Sequence, residues 1–389
     1  MTKEDLNVII DRRNTGCLKY DFAVARGKPA DVLPFWVADM DFRSPEPVIE
    51  ALKARADHGI FGYPNQALAL KETLVSRMEK LYSWKITPDD IVLIPGVVPG
   101  INITCHAFAQ NKGVVIQPPV YGPFLTAPQN ARAIRIDAPL VEKETGEYEI
   151  DWDILASALS NEARLMILCS PHNPVGRVWT SKELEQVAEF CLRNEVILCS
   201  DEIHCDLVYE GHPHTPVAAI SPEIAQNTIT LMAPSKTFNL PGLYCSFAII
   251  QNPKLRETFQ IARQGLVGGV NVMGLTAALA AYQDGEEWLI QLLDYLQSNR
   301  DFLFEMIYTE FPELQMSKPE GTYLAWIDCR KLLSTHSNPA KFFLEKAKVA
   351  LVDGKWFGKE GEGFVRLNFA CPRKTLQQAL ERMKHALYS

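Results

Sequence analysis

The chain has 389 residues, enough for two domains or for one large α/β domain with a smaller appendage. Hydrophobic residues make up 47% and charged residues 22%, close to average usage, which excludes a disordered or fibrous chain. The 39 basic and 47 acidic residues leave a net charge of -8, with no lysine and arginine run to follow a phosphate backbone, so nucleic acid is not an expected partner. The start, "MTKEDLNVII", is polar, and no apolar stretch reaches bilayer length, so no membrane association and a cytoplasmic location are expected. Nine cysteines, an odd number with no C-x-x-C, argue against a disulfide framework. Cys169, Cys199 and Cys245 lie in apolar runs and read as buried, reduced thiols.

Residues 1–47 carry prolines and aromatics with little regular patterning and read as an N-terminal arm that joins part of a smaller domain. "IVLIPGVVPGINITCHAFAQ" reads as a strand, a glycine-bearing turn and a helix, the turn being a possible anion site. "GVVIQPPVYGPF" is a strand that breaks at Pro118 and Pro119 into a turn carrying Tyr121. "ARLMILCSP" is the next strand, and the following helix is apolar at Leu184, Val187, Ala188 and Cys191, with Thr180 and Glu183 spaced as a capping box. "VILCSDEI" and "TITLMAPS" complete an alternation of strands and helices that predicts a mainly parallel sheet over residues 48–285. After Gly285 a long helical stretch opens a smaller α/β domain, residues 286–389.

In an open parallel sheet the ligand crevice lies at the carboxyl ends of the strands. Those ends carry Tyr121, Asn173, Asp201, Ser235 and Lys236. Any single acid and amine could be a salt bridge. Together they offer an amine for a Schiff base, a carboxylate to hold a ring nitrogen protonated, an aromatic face for stacking and, in "PGVVPG", backbone N–H groups for a phosphate. A ring nitrogen, an aldehyde and a phosphate describe pyridoxal 5'-phosphate.

"SPHNPVGRVWT", "SDEIHCDLVYEGHPH" and "APSKTFNL" resemble the class I/II aminotransferase superfamily of fold-type I pyridoxal-phosphate enzymes, most closely the MalY/PatB-type cystathionine β-lyases. "PFWVADMDF", "HGIFGYP" and "GFVRLNFACP" extend the resemblance over nearly the whole chain. It implies Lys236 as the lysine that holds the cofactor and moves the substrate α-proton, Asp201 on the pyridine nitrogen, Asn173 near the phenolic oxygen and Tyr121 stacked on the ring. It further implies Val97, Val98 and Ser235 at the phosphate, and His204 beside the cofactor where many aminotransferases have tyrosine. Arg366 would clamp the α-carboxylate, with Asn173, Ala38 and Tyr63 also facing the substrate. Tyr63 would reach the phosphate in a partner's site, which implies a homodimer with shared sites. Ala233 and Tyr244 stand where aminotransferases often carry a serine and an arginine on the phosphate, a departure that agrees with the lyase subgroup.

Asp201, Glu202, His204, Cys205 and Asp206 could suggest a metal centre, but alternation between strand faces keeps them from converging on one ion, and none is expected. His212 and His214, in turn-rich "EGHPHTP", read as surface histidines, and "GLVGGV" lacks the strand and acid of a dinucleotide fingerprint. Trp36, Asp39 and Met40 either pack the arm or cover the substrate. The expected activity is C–S β-elimination on L-cystathionine or a related cysteine conjugate. An aminotransferase of the same superfamily and a pyridoxal-phosphate-binding regulatory protein with little turnover are the alternatives.

Overall fold

The computed structural model describes residues 5–21, 31–64, 67–160, 162–334 and 336–389. Its strands are β1 (Leu33–Pro34), β2 (Ile91–Ile94), β3 (Gly113–Ile116), β4 (Ile134–Asp137), β5 (Val141–Glu142), β6 (Tyr148–Glu149), β7 (Ala163–Cys169), β8 (Ile197–Asp201), β9 (Thr228–Met232), β10 (Ser246–Ile249), β11 (Leu324–Asp328), β12 (Val349–Ala350), β13 (Val352–Asp353) and β14 (Phe364–Asn368). Seven of them form one sheet in the order β2-β10-β9-β8-β7-β3-β4. The run from β9 to β4 is parallel throughout, and β10 is antiparallel to both of its neighbours. The carboxyl ends of β3, β7, β8 and β9 therefore open on one edge.

Both faces of the sheet are covered, as the near-continuous apolar strands require. Val115, Met166, Leu168 and Leu198 point into a core shared with Leu184, Val187, Ala188 and Cys191 of the helix Ser181–Arg193. Val114, Ile116, Leu165, Ile167 and Cys199 point the other way, against Ile101, Ile103 and Cys105 of the helix Val97–Phe108. Alternate strand residues thus serve opposite layers. The helix Ser181–Arg193 starts as its capping box predicts: Thr180 Oγ1 accepts from the Glu183 N–H at 3.2 Å, and a Glu183 carboxylate oxygen accepts from the Thr180 N–H at 2.8 Å. Gly100 lets the helix Val97–Phe108 lie close to the sheet, since a Cβ there would meet the Ile94 side chain at 2.7 Å.

The helix Glu286–Glu310 packs with the helix Arg373–Tyr388 and the antiparallel sheet β11-β14-β13. Leu6, Phe35, Met40 and Phe42 share that core, and β1 pairs in parallel with β12, so the first part of the chain is built into the C-terminal region.

Two readings from sequence need correction. The strand expected over "TITLMAPS" ends at Met232, and Lys236 lies on the one-turn helix Pro234–Thr237. Pro234 cannot donate to a strand ladder and suits a first helical position, so the chain turns there. His214 is buried, with its Nε2 2.9 Å from Glu202 Oε2, because that carboxylate is itself fully enclosed and needs a partner. His212 is more open. Among the described residues no helix is long and apolar enough to cross a membrane.

Candidate active site

Asp201 is the last residue of β8, Asn173 follows β7 by a short loop, and Tyr121 caps the helix Gly122–Asn130 after β3. Together with the turn before Val97 and the helix that carries Lys236, they surround a cleft of about 240 Å³. Ala38, Val97, Val98, Tyr121, Asn173, Asp201, His204, Ser235 and Lys236 all line it. Arg366, from the centre of β14, reaches it by donating from Nη1 to Asn173 Oδ1 at 3.2 Å. Tyr63 is the exception. It is fully exposed, in a surface hollow with Phe61, Arg263 and Asn271.

The cleft holds buried polar groups whose needs the chain meets only in part. Asp201 is almost fully buried and accepts one hydrogen bond, from the Ile203 N–H at 3.1 Å, and burial pushes its carboxyl up to about 7. Lys236 Nζ donates to the Ala38 carbonyl at 2.6 Å, and desolvation lowers its amine to about 8. Such an amine is deprotonated far more readily than an exposed lysine. His204 stands edge-on to Tyr323 with ring centroids 6.0 Å apart. Burial, with the charges of Lys236 and Arg366, lowers it to about 3, so the ring is neutral.

Arg366 is also buried: Nη2 donates to the Trp36 carbonyl at 2.8 Å, the guanidinium lies 5.1 Å over the Phe357 ring, and desolvation lowers it to about 10. Its Nε is enclosed without a partner. A buried cation with an unused donor favours a carboxylate in the cleft. At the opposite end, Gly96 has φ 142°, a backbone region suited to glycine, and the helix from Val97 begins with no side-chain cap. Its first N–H groups and its dipole are available to a phosphate.

These features fit pyridoxal phosphate: a buried carboxylate lacking a cation, a partly neutral amine, a stacking ring at Tyr121 and an uncapped helix start. Glu202 is taken by His214, Ser200 and the Val217 N–H, while Asp206 is taken by Arg77 and Thr237. Among the described residues no group of three His, Cys, Asp or Glu side chains could hold a metal ion.

Comparison with known proteins agrees with this geometry. The family described as aminotransferase class I and II matches residues 30–383. The chain belongs to that family. This aminotransferase-family chain is 42% identical over 382 residues to the cystathionine β-lyase PatB of Bacillus subtilis, covering 97% of this chain and 98% of that one. It is 35% identical over 392 residues to protein MalY of Escherichia coli, covering 98% of each. Among solved structures it matches cystalysin from Treponema denticola, which contains a pyridoxal 5'-phosphate cofactor, with a TM-score of 0.94, 35% identity and 98% of each chain covered. The family fold is the fold-type I architecture, and its cofactor is pyridoxal phosphate.

Three features in or behind the cleft wall escape a reading of the sequence. Tyr323 is a fully buried hydroxyl that donates to the Ala38 carbonyl at 3.0 Å; its signal, a tyrosine opening the apolar "TYLAWI", is indistinguishable from ordinary core. Ile203 and Cys169 also line the wall. The third part is main chain. The carbonyls of Trp36, Val37, Ala38, Asp39 and Met40 each accept from a side chain, respectively Arg366, Asn368, Lys236, Asn368 again and Asn239. The segment with Trp36, Asp39 and Met40 thus touches the cleft as well as packing the arm.

Proposed function

We propose that this chain is a pyridoxal-phosphate-dependent carbon–sulfur β-lyase acting on L-cystathionine or a related cysteine S-conjugate. The observation that carries the reading is the cleft itself, where Asp201 and Arg366 stand buried beside the partly buried Lys236, in a chain with near full-length likeness to cystathionine β-lyases at 33–42% identity.

Asp201 would hold the ring nitrogen in its protonated form, Tyr121 would cover one ring face, and Asn173 would donate towards the phenolic oxygen. Val97 and Val98 would meet the phosphate through their N–H groups, with Ser235 beside them and His204 near the ring. Lys236 would carry the cofactor aldehyde until an amino acid replaces it. Bound pyridoxal phosphate supplies an electron sink for the pair left at Cα when its proton is removed. Arg366 holds the substrate carboxylate bidentately and so fixes Cα against the Lys236 amine. The neutral amine takes the α-proton at Nζ. The Cβ–S bond then breaks, and the sulfur leaves as a thiolate. With one water consumed, the products are a thiol, pyruvate and ammonia.

The test is incubation of the purified holoenzyme with L-cystathionine, measuring pyruvate and free thiol with and without a keto-acid acceptor. Pyruvate and thiol in the absence of acceptor are expected. Product only with acceptor would make the enzyme an aminotransferase, and no product in either case would favour a regulatory cofactor-binding role. Lys236→Ala should remove the visible band of the lysine-bound cofactor.

We place the enzyme in the cytoplasm, where its nine free cysteines would stay reduced. We take it to be a homodimer in which Tyr63, exposed beside Ile60 and Phe61, serves the partner's site.

A further inference from the structure

Beneath the segment that carries the Ala38 carbonyl lies a group of four charges. Arg12 Nη2 is 2.6 Å from Asp39 Oδ2 and its Nη1 2.7 Å from Asp41 Oδ1, while Lys19 Nζ is 2.9 Å from Asp41 Oδ2 and 3.5 Å from Asp39 Oδ1. Lys19 is 1% exposed and Asp41 7%. Enclosing the Lys19 and Asp41 charges, with Arg12 and Asp39 partly covered beside them, is costly unless their geometry is used. Arg12 Nη1 also donates to the Met40 carbonyl at 3.2 Å, and Trp36 Nε1 donates to the Lys19 carbonyl at 3.2 Å. The cluster thus binds the arm, residues 12–19, to the strap from Trp36 to Phe42 at both of its ends.

We propose that the partly buried cluster of Arg12, Lys19, Asp39 and Asp41 is a positioning device for Lys236, fixing the strap and with it the Ala38 carbonyl against which the lysine amine rests. That carbonyl has two donors, Lys236 at 2.6 Å and Tyr323 at 3.0 Å, from different elements. A displaced strap would release the amine from its place. The cluster also acts through charge. The charged groups acting on Lys236 are Asp39 on the strap, Asp201 on β8 and Arg366 on β14, and the nearby His204 and Tyr323 are uncharged. Asp39 raises the lysine's proton affinity, and its own charge is offset by Arg12 and Lys19. Arg12 and Lys19 are therefore positioning residues, remote from the reacting atoms, that keep the amine ready to take a proton.

The inference rests on Lys236 as the base. Its test begins in the apo protein, where the Lys236 side-chain NMR resonance is followed against pH, with a wild-type midpoint of about 8. Arg12→Gln leaves Asp39 less neutralised and should move the midpoint up, whereas Asp39→Asn should move it down. The acid limb of kcat for L-cystathionine in the holoenzyme should move in the same directions. For every pH unit by which its midpoint rises, Arg12→Gln should lose about tenfold in kcat near neutral pH, with KM altered less, and Arg12→Lys should recover part of the loss. A loosened fold would not move the two variants in opposite directions. Unchanged midpoints in both variants, or midpoints that move the same way, would overturn the proposal. If Arg12→Gln does not fold, the direction of Asp39→Asn decides alone. A wild type that releases no pyruvate would instead sink the lyase reading, and the apo titration would still judge this one.

Discussion

Asp201 is a buried carboxylate without an ion pair among the described residues. Its folded value near 7 against an ordinary 3.8 means that the folded apo protein keeps a proton which the unfolded chain gives up between those pH values. The sign follows from linkage: this contribution to apo stability is full below the unfolded value and is lost as pH rises towards 7, on the order of 4 kcal/mol in all. Asp201→Asn should therefore raise the urea midpoint of the apo protein at pH 8 and flatten its dependence on pH, while cofactor affinity falls. An apo variant no more stable than wild type at pH 8 would show that the carboxylate is compensated elsewhere. Arg366→Lys keeps the charge but loses the planar fork. It should cost up to about a hundredfold in kcat/KM with the cofactor band unchanged, the effect of one charge-assisted hydrogen bond. At this scale Asp201 and Lys236 are visible in the sequence because each is a polar residue at or just after the end of an apolar run, whereas Arg366 is reached only through the family resemblance of "GFVRLNFACP". Tyr323 and His214 are hidden because their burial is set by partners far along the chain or around a turn, the Ala38 carbonyl and Glu202.

Among the elements, the helix Val97–Phe108 has the most direct link between its first turn and function. Gly96 sits at φ 142°, and a Cβ there would also approach the Pro99 ring at 3.1 Å. Gly96→Ala should disturb the turn that presents the first N–H groups and raise the cofactor dissociation constant more than it lowers the thermal midpoint of the apo protein. Equal affinity in that variant would move the phosphate elsewhere. A contrasting case is the helix Ser181–Arg193, where Thr180→Ala should cost about 1 kcal/mol in urea denaturation and leave kcat untouched, since the cap lies away from the cleft. Both elements are legible because caps, turns and apolar periodicity are local signals. The strap from Trp36 to Phe42 is not, because its working groups are carbonyls that every residue type carries. The short helix at Lys236 reads as strand because "TITLMAPS" is apolar up to the proline that ends the ladder.

Over the whole molecule, the chain's first segment returns to build the core of its last, so the cleft closes only when distant parts of the sequence are assembled. Shared sites in a dimer would extend this across subunits. The decisive experiment mixes subunits carrying Tyr63→Ala with subunits carrying Lys236→Ala. If Tyr63 serves the partner's site, each mixed dimer regains one intact site and activity returns; if Tyr63 serves its own, mixing restores nothing.

Eight of the nine cysteines are buried, and Cys17 is half-buried. Cys169 and Cys245 stand in the cleft wall, the first with its thiol pushed well up by burial and the second raised to about 12. Only a thiolate attacks a disulfide, so these groups stay inert walls near neutral pH. A lyase releasing thiols works beside its own exchange reagent, since those products oxidise to disulfides. Iodoacetamide should accordingly label Cys17 and leave kcat unchanged. By keeping its cleft sulfurs protonated, the enzyme is insulated from the sulfur it sets free.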